Sequence, residues 1–173
     1  MEIYEMNGLL KRTLASTEYG DLYTPPEATE LIAPYIHGRV WECAAGEGHI
    51  TVILERHGLE VVETDIAWGV DFFDTEVPAD IDCIVTNPPY KRKDAFLERC
   101  FEIGLPFALL LPLTALGGVK RTGMYNRYGL EVLIPDKRIN FIYEGAGKAC
   151  WFHSAWFCHD VLPEKLMFAE LAA

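Results

Sequence analysis

The 173 residues are enough for one domain with a substantial buried core. Half of them are hydrophobic and 24% are charged, a balance typical of a folded globular protein and not of a disordered one. A formal net charge of −11 argues against a polyanionic partner, and no apolar run is long enough to span a membrane.

The start of the chain and its cysteines indicate the compartment. Residues 1–6 are acidic and interrupted, unlike the basic and then apolar pattern of a signal peptide, so we expect a cytoplasmic protein. The five cysteines have no CxxC spacing, which favours reduced, buried thiols. We predict no metal site, because the histidines around Cys158 have no strong ligand spacing.

Strands and helices alternate along the chain. Helical spacing and capping residues predict helices that begin near Thr24, after Gly48 and at Asp94. Short apolar runs predict strands at 39–43, 60–64, 82–86, 107–111, 130–134, 139–142 and 154–161. This order predicts an α/β fold with a doubly wound sheet in three α-β-α layers, which binds ligands at the carboxyl ends of its strands.

Two strand ends suit a nucleoside ligand. Gly46 and Gly48 lack a Cβ, so the turn after the first strand can approach a ligand closely. Asp65 lies 17 residues beyond Gly48, near the offset at which a carboxylate accepts hydrogen bonds from ribose hydroxyls. The three-glycine dinucleotide motif is absent, and Glu47 would repel a pyrophosphate. A nucleoside with a cationic centre therefore fits better than NAD.

The segment 42–48 resembles the first motif of S-adenosylmethionine-dependent methyltransferases. The resemblance extends to Asp65 as the ribose ligand and to Asp71-Phe72 as an adenine-contacting motif. It also includes Tyr23-Thr24, which resembles a motif placed upstream of the glycine turn. We expect S-adenosyl-L-methionine as cofactor. The resemblance implies a cofactor site formed by Tyr23, Thr24, Cys43, Ala44, Ala45, Gly46, Gly48, Asp65, Ile66, Asp71, Phe72 and Asn87.

The tetrapeptide Asn87-Pro88-Pro89-Tyr90 is the most specific signal and predicts the catalytic site. Two prolines fix the backbone, so the Asn87 side-chain oxygen and the Pro88 carbonyl can accept the two hydrogens of an amine. Tyr90 can stack on a flat group. The motif resembles that of methyltransferases acting on adenine N6 and also that of enzymes methylating glutamine. The tetrapeptide alone does not separate these substrates.

Later segments favour nucleic acid. Residues 111–118, 137–141 and 154–157 resemble phage and prophage adenine-N6 DNA methyltransferase-like proteins. Residues 91–148 hold 10 Lys+Arg against 6 Asp+Glu, whereas residues 1–90 hold 4 against 17. We predict phosphate contacts and stacking on a flipped base, with DNA favoured and RNA possible. The candidate substrate-binding residues are Lys91, Arg92, Lys93, Lys120, Arg121, Trp151 and Phe152.

Only 83 residues follow Tyr90, so we predict one methyltransferase domain over residues 1–173 without a separate target-recognition domain. Sequence specificity would then be low, limited to a very short sequence, supplied by a protein partner, or absent. The leading hypothesis is transfer to adenine N6 in DNA. The alternatives are glutamine N5 methylation in proteins, adenine methylation in RNA, and an inactive cofactor-binding module acting through a partner.

Overall fold

A mixed sheet of seven strands forms the centre of the computed structural model, which describes residues 22–142 and 152–172. The strands are β1 (Arg39–Glu42), β2 (Glu60–Glu63), β3 (Cys83–Thr86), β4 (Phe107–Pro112), β5 (Glu131–Pro135), β6 (Ser154–His159) and β7 (Leu166–Ala169). Their order in the sheet is β2-β1-β3-β4-β6-β5-β7. Among these strands, β6 alone runs antiparallel to its neighbours.

Helices cover both faces of the sheet. They are α1 (Pro26–Ile32), α2 (His49–Arg56), α3 (Lys93–Ile103) and α4 (Val119–Tyr128). Helix α1 packs against α2, and α3 packs against α4. Phe101 of α3 meets His159 of β6, with ring centroids 5.3 Å apart, whereas Trp156 of β6 donates a hydrogen bond to the Ala28 carbonyl of α1. Strand side chains alternate between faces, so the two helix pairs lie on opposite sides.

The central strands explain the core. Every residue of β3 and of β4 is buried, as expected of strands with neighbours on both edges and helices on both faces. Because β1, β2 and β3 are parallel, the segments that follow them, 43–48, 64–68 and 87–90, meet at one edge of the sheet. None of the helices in the described part of the chain is long and apolar enough to cross a membrane.

The predicted fold class is confirmed, but some local predictions were wrong. Thr24 does not cap α1, because Pro25 occupies the cap position without a side-chain hydrogen bond. Residues 139–142 form no strand, and Ile142 makes only an isolated bridge to Tyr23. Helix α4 and strand β7 were not predicted. Helix α4 has no fully buried residue, and most of its side chains are polar, so its apolar periodicity is weak.

Candidate active site

A cleft of about 680 Å³ lies at the carboxyl edge of β1, β2 and β3. The segments after these three strands form it, together with residues 22–24. The structure thus brings most of the predicted site residues together. Those that line the cleft are Tyr23, Thr24, Cys43, Ala44, Ala45, Gly46, Asp65, Ile66, Asp71, Phe72, Asn87, Pro88, Pro89, Tyr90 and Arg92.

The glycine turn is tied to the end of β2. The Gly46 amide donates to Asp65 Oδ2 at 2.8 Å, and the Ala67 amide donates to Asp65 Oδ1 at 2.8 Å. Gly46 has a φ of +55°, a left-handed conformation that a Cβ disfavours. Asp65 is 8% exposed, yet each carboxylate oxygen keeps a second lone pair for a ligand hydroxyl. This arrangement suits the ribose role that the sequence predicts for Asp65.

Gly48 shapes the turn without lining the cleft. It is the residue before α2 and has a φ of +75°. A Cβ at this position would lie 2.9 Å from Glu63 Oε1. The structure therefore places Gly48 between the turn and β2, beside the cleft wall.

The motif at Asp71 forms part of the cleft floor. Asp71 Oδ1 accepts from the Phe73 amide at 3.0 Å. Phe72 is 2% exposed and stacks on Phe96, with ring centroids 4.9 Å apart. Phe73 is only half-buried, and the Arg92 guanidinium lies over its ring at 4.1 Å. Phe72 is thus a rigid apolar surface at the bottom of the cleft.

Residues 22–24 form the opposite wall. Tyr23 is held by backbone hydrogen bonds to Ile142 in both directions, at 2.7 Å and 2.9 Å. Its ring stacks on His49 with centroids 4.8 Å apart, and its hydroxyl donates to Glu47. Thr24 is 3% exposed and lies in the same wall. Tyr23 therefore connects this wall both to the glycine turn and to the segment near Ile142.

Asn87 has one end of its amide fixed and the other end unpaired. Its Nδ2 donates to the Leu22 carbonyl at 3.1 Å, which identifies the group facing Leu22 as the NH₂. Its Oδ1 is buried and has no hydrogen-bond partner among residues 22–142 and 152–172. A buried acceptor without a partner costs free energy, so a site that keeps one is suited to a donor from a ligand.

Tyr90 is held on several sides. It is 8% exposed, and its hydroxyl lies 3.3 Å from Ser154 Oγ. Its ring meets Phe152 and Phe141 edge to face, at centroid distances of 5.6 Å and 6.3 Å. The predicted substrate residue Phe152 thus packs directly on Tyr90 of the predicted catalytic tetrapeptide. Trp151, predicted with it, lies outside the described residues.

The predicted basic residues are not gathered around the cleft. Arg92 lines it, with its Nη1 3.7 Å from Asp71 Oδ2. The amine of Lys93 donates to the Tyr90 carbonyl at 3.2 Å, and Lys91 is exposed beside it.

Lys120 and Arg121, also predicted to bind substrate, lie away from the cleft lining. Each makes an ion pair of 2.7 Å to α3, with Glu98 and Asp94 respectively, and neither lines the cleft. These pairs join α4 to α3.

Sequence reasoning missed two features of the cleft. Glu42 lines it and is 1% exposed, and burial raises the pKa of its carboxyl to about 8. Glu42 begins the segment 42–48 that resembles the first methyltransferase motif, but the sequence predicted no role for its side chain. Trp68 also lines the cleft and is 53% exposed, a position that no sequence pattern indicated.

The cleft is acidic. Of the described residues that line it, one carries a guanidinium group, Arg92, and four carry carboxyl groups: Glu42, Glu47, Asp65 and Asp71. Such a lining favours a ligand with positive charge.

Solved structures share the fold of this chain. A protein from Listeria monocytogenes described as a class I S-adenosylmethionine-dependent methyltransferase matches with a TM-score of 0.56 and 13% identity, over 96% of this chain and 72% of that one. The chain has the class I methyltransferase fold. The M protein of the type I restriction enzyme EcoKI matches with a TM-score of 0.50 and 13% identity, over 79% of this chain and 43% of that one. No protein-family model matches the chain, and no curated protein matches its sequence.

Proposed function

We propose that the protein is an S-adenosylmethionine-dependent methyltransferase that transfers a methyl group to the exocyclic N6 amine of adenine in DNA. The observation that carries the proposal is the orientation of Asn87. Its amide nitrogen is engaged by the Leu22 carbonyl, so its unpaired oxygen is the group left to accept a hydrogen from a substrate amine.

The residues present fit S-adenosylmethionine as cofactor. Asp65 offers buried carboxylate oxygens at the tip of β2, and Phe72 offers an apolar surface below them. The left-handed turn at Gly46 leaves room beside the backbone, since an added Cβ would have only Tyr23 within 4 Å. The acidic lining suits the positive charge of the cofactor. When bound, S-adenosylmethionine would supply an electrophilic methyl group on a positively charged sulfur.

The tetrapeptide would activate the amine by geometry. The lone pair of an exocyclic amine is delocalised into the base, so the nitrogen is a poor nucleophile. Acceptance of its N–H groups by Asn87 Oδ1 and the Pro88 carbonyl favours a pyramidal nitrogen whose lone pair points along the line of transfer. The same oxygens stabilise the positive charge that develops on nitrogen. The surplus proton then leaves to solvent, and no separate base is required.

The surroundings of the tetrapeptide support a flipped base as substrate. Phe152 and Tyr90 place two aromatic rings together, a common surface for stacking a nucleobase. Arg92 lies at the cleft, and Lys91 is exposed next to it, where a phosphate could be contacted. Because Lys120 and Arg121 are paired with carboxylates, the basic surface is small. We therefore propose that a protein partner contributes to recognition of the DNA.

The test is incubation of the protein with labelled S-adenosylmethionine and DNA, RNA or protein extract, followed by nucleoside and peptide analysis. We expect label in N6-methyladenine from DNA. Label found only in glutamine, or only in RNA, would refute the proposed substrate. Binding of the cofactor without transfer to any of the three would favour the inactive module.

A substitution tests the role assigned to Asn87. Asn87→Ala should abolish transfer and leave cofactor affinity nearly unchanged, as measured by calorimetry. Asn126→Ala, at an exposed position on α4, is the matched control and should retain activity. A large loss of cofactor affinity in Asn87→Ala would contradict the assigned role.

A further inference from the structure

Glu42 is a buried carboxyl group inside the cleft. It is the last residue of β1 and is 1% exposed. Its Oε1 accepts from the Ala44 amide at 3.2 Å, whereas its Oε2 is buried and has no hydrogen-bond partner within the part of the chain that the structure describes. The role described above for the tetrapeptide makes no use of this group. A buried carboxylate in this state would be costly, since one oxygen would keep neither water nor a partner.

The groups around Glu42 favour its neutral form. The pKa of its carboxyl is raised to about 8, mainly by burial and to a smaller extent by the nearby carboxylates of Glu63 and Asp65. The Thr86 hydroxyl and the Ala44 amide act in the opposite direction and lower the pKa of the carboxyl.

Two basic side chains, Arg92 and His49, line the same cleft in the described part of the chain. The Arg92 guanidinium lies against Asp71, and the His49 ring stacks on Tyr23. Neither pairs with Glu42, so without a ligand Glu42 holds its proton at neutral pH.

The position of Glu42 relates it to the reacting atoms. Strand β1 lies beside β3, and β3 leads directly into Asn87. A methyl group can pass to an amine held at Asn87 only if the donor sulfur is adjacent to that amine. The positive charge of the donor must then lie near the adjoining ends of β1 and β3, where it can interact electrostatically with the Glu42 carboxyl group.

We propose that Glu42 makes the cleft select the cationic methyl donor over its neutral product, by ionising when the donor binds. This inference rests on the proposed function. A cation beside the buried carboxylate offsets the cost of its charge, so the proton leaves to solvent as the donor enters. Methyl transfer breaks the sulfur–methyl bond and leaves a neutral thioether. Glu42 then takes up a proton from solvent, and the product is held less tightly than the donor.

Calorimetric titration with S-adenosylmethionine and with S-adenosylhomocysteine tests the proposal without requiring turnover. Titrations in buffers of different ionisation enthalpy measure the protons released. At pH 7 the wild type should release about one proton more than Glu42→Gln when the donor binds, because Glu42 is mostly protonated beforehand. Donor affinity should rise about tenfold from pH 6 to pH 7 and level off above pH 8 in the wild type, relative to the variant. Binding of the product should show a smaller difference.

Glutamine is a suitable replacement because it resembles the neutral acid in shape. Glu42→Gln should therefore fold, and its preference for donor over product should fall at least tenfold at pH 8. Glu164→Gln, at an exposed position, should behave as the wild type. Equal proton release by the wild type and Glu42→Gln, with the donor still bound, would overturn this inference and leave the proposed function standing. A wild-type protein that binds neither ligand would instead overturn the proposed function.

Discussion

Replacing Glu42 by Gln should stabilise the ligand-free protein, by an amount that grows with pH. The carboxyl has an ordinary pKa of 4.5, and burial raises it to about 8 in the folded protein. Between these values the folded state binds more protons than the unfolded state, so the stability of the wild type falls as the pH rises. A glutamine at this position does not titrate, so the variant does not lose this stability as the pH rises.

The pKa values give the magnitude. One pH unit corresponds to about 1.4 kcal/mol, so ionisation of the unfolded chain costs the wild type about 3 kcal/mol at pH 7 and about 5 kcal/mol above pH 8. The buried amide of Gln adds an N–H group without a partner, which reduces the stability gained by the variant by about 1 kcal/mol. We expect the variant to be more stable than the wild type by about 2 kcal/mol at pH 7. Near pH 4.5 it should be as stable as the wild type or slightly less stable.

Urea unfolding at several pH values between 4.5 and 8.5 measures this difference. The free energies of unfolding of the wild type, Glu42→Gln and the exposed control Glu164→Gln should be compared at each pH. The control should follow the wild type throughout. If the difference between Glu42→Gln and the wild type is the same at pH 5 and pH 8, the carboxyl is not held neutral by burial, and the reasoning fails.

Three further substitutions test the glycine turn and the core. Gly46→Ala should lose about 1 kcal/mol of stability, because its φ of +55° disfavours a Cβ, and it should also weaken cofactor binding. Gly58 also has a positive φ, +81°, but an added Cβ would have no atom within 4 Å. Urea unfolding of Gly58→Ala should therefore show a similar loss of stability, while calorimetry shows unchanged cofactor affinity. Trp156→Phe should lose about 1–3 kcal/mol in the same unfolding assay, because the buried Ala28 carbonyl loses its donor. A loss below 0.5 kcal/mol would show that this hydrogen bond contributes little.

Local patterns were sufficient for much of the fold. Continuous apolar runs predicted β3 and β4, because strands buried on both faces need apolar residues at every position. The two glycines after β1 predicted a sharp turn, and both have positive φ values. The position of β6 between β4 and β5, antiparallel to both, had no local signal. Strand order depends on pairing between distant segments.

The ion pairs of the basic residues could not be derived from the sequence. Lys120 and Arg121 were expected to reach a nucleic acid, because nothing in the sequence indicates that α3 carries carboxylates opposite them. Such ion pairs join residues 22 and 27 positions apart and depend on how two helices pack. The roles predicted for the other cleft residues stay predictions until a ligand is measured.

The sequence by itself determined which residues lie at the strand ends, since strand periodicity, glycine turns and the rigid Asn87-Pro88-Pro89-Tyr90 segment are local properties. Only the tertiary structure decided what those residues can do. The Leu22 carbonyl turns the Asn87 amide so that its oxygen is the unpaired group, and this contact joins positions 65 residues apart. Burial by the assembled sheet keeps Glu42 protonated, and burial depends on packing around the side chain rather than on its immediate neighbours in the chain.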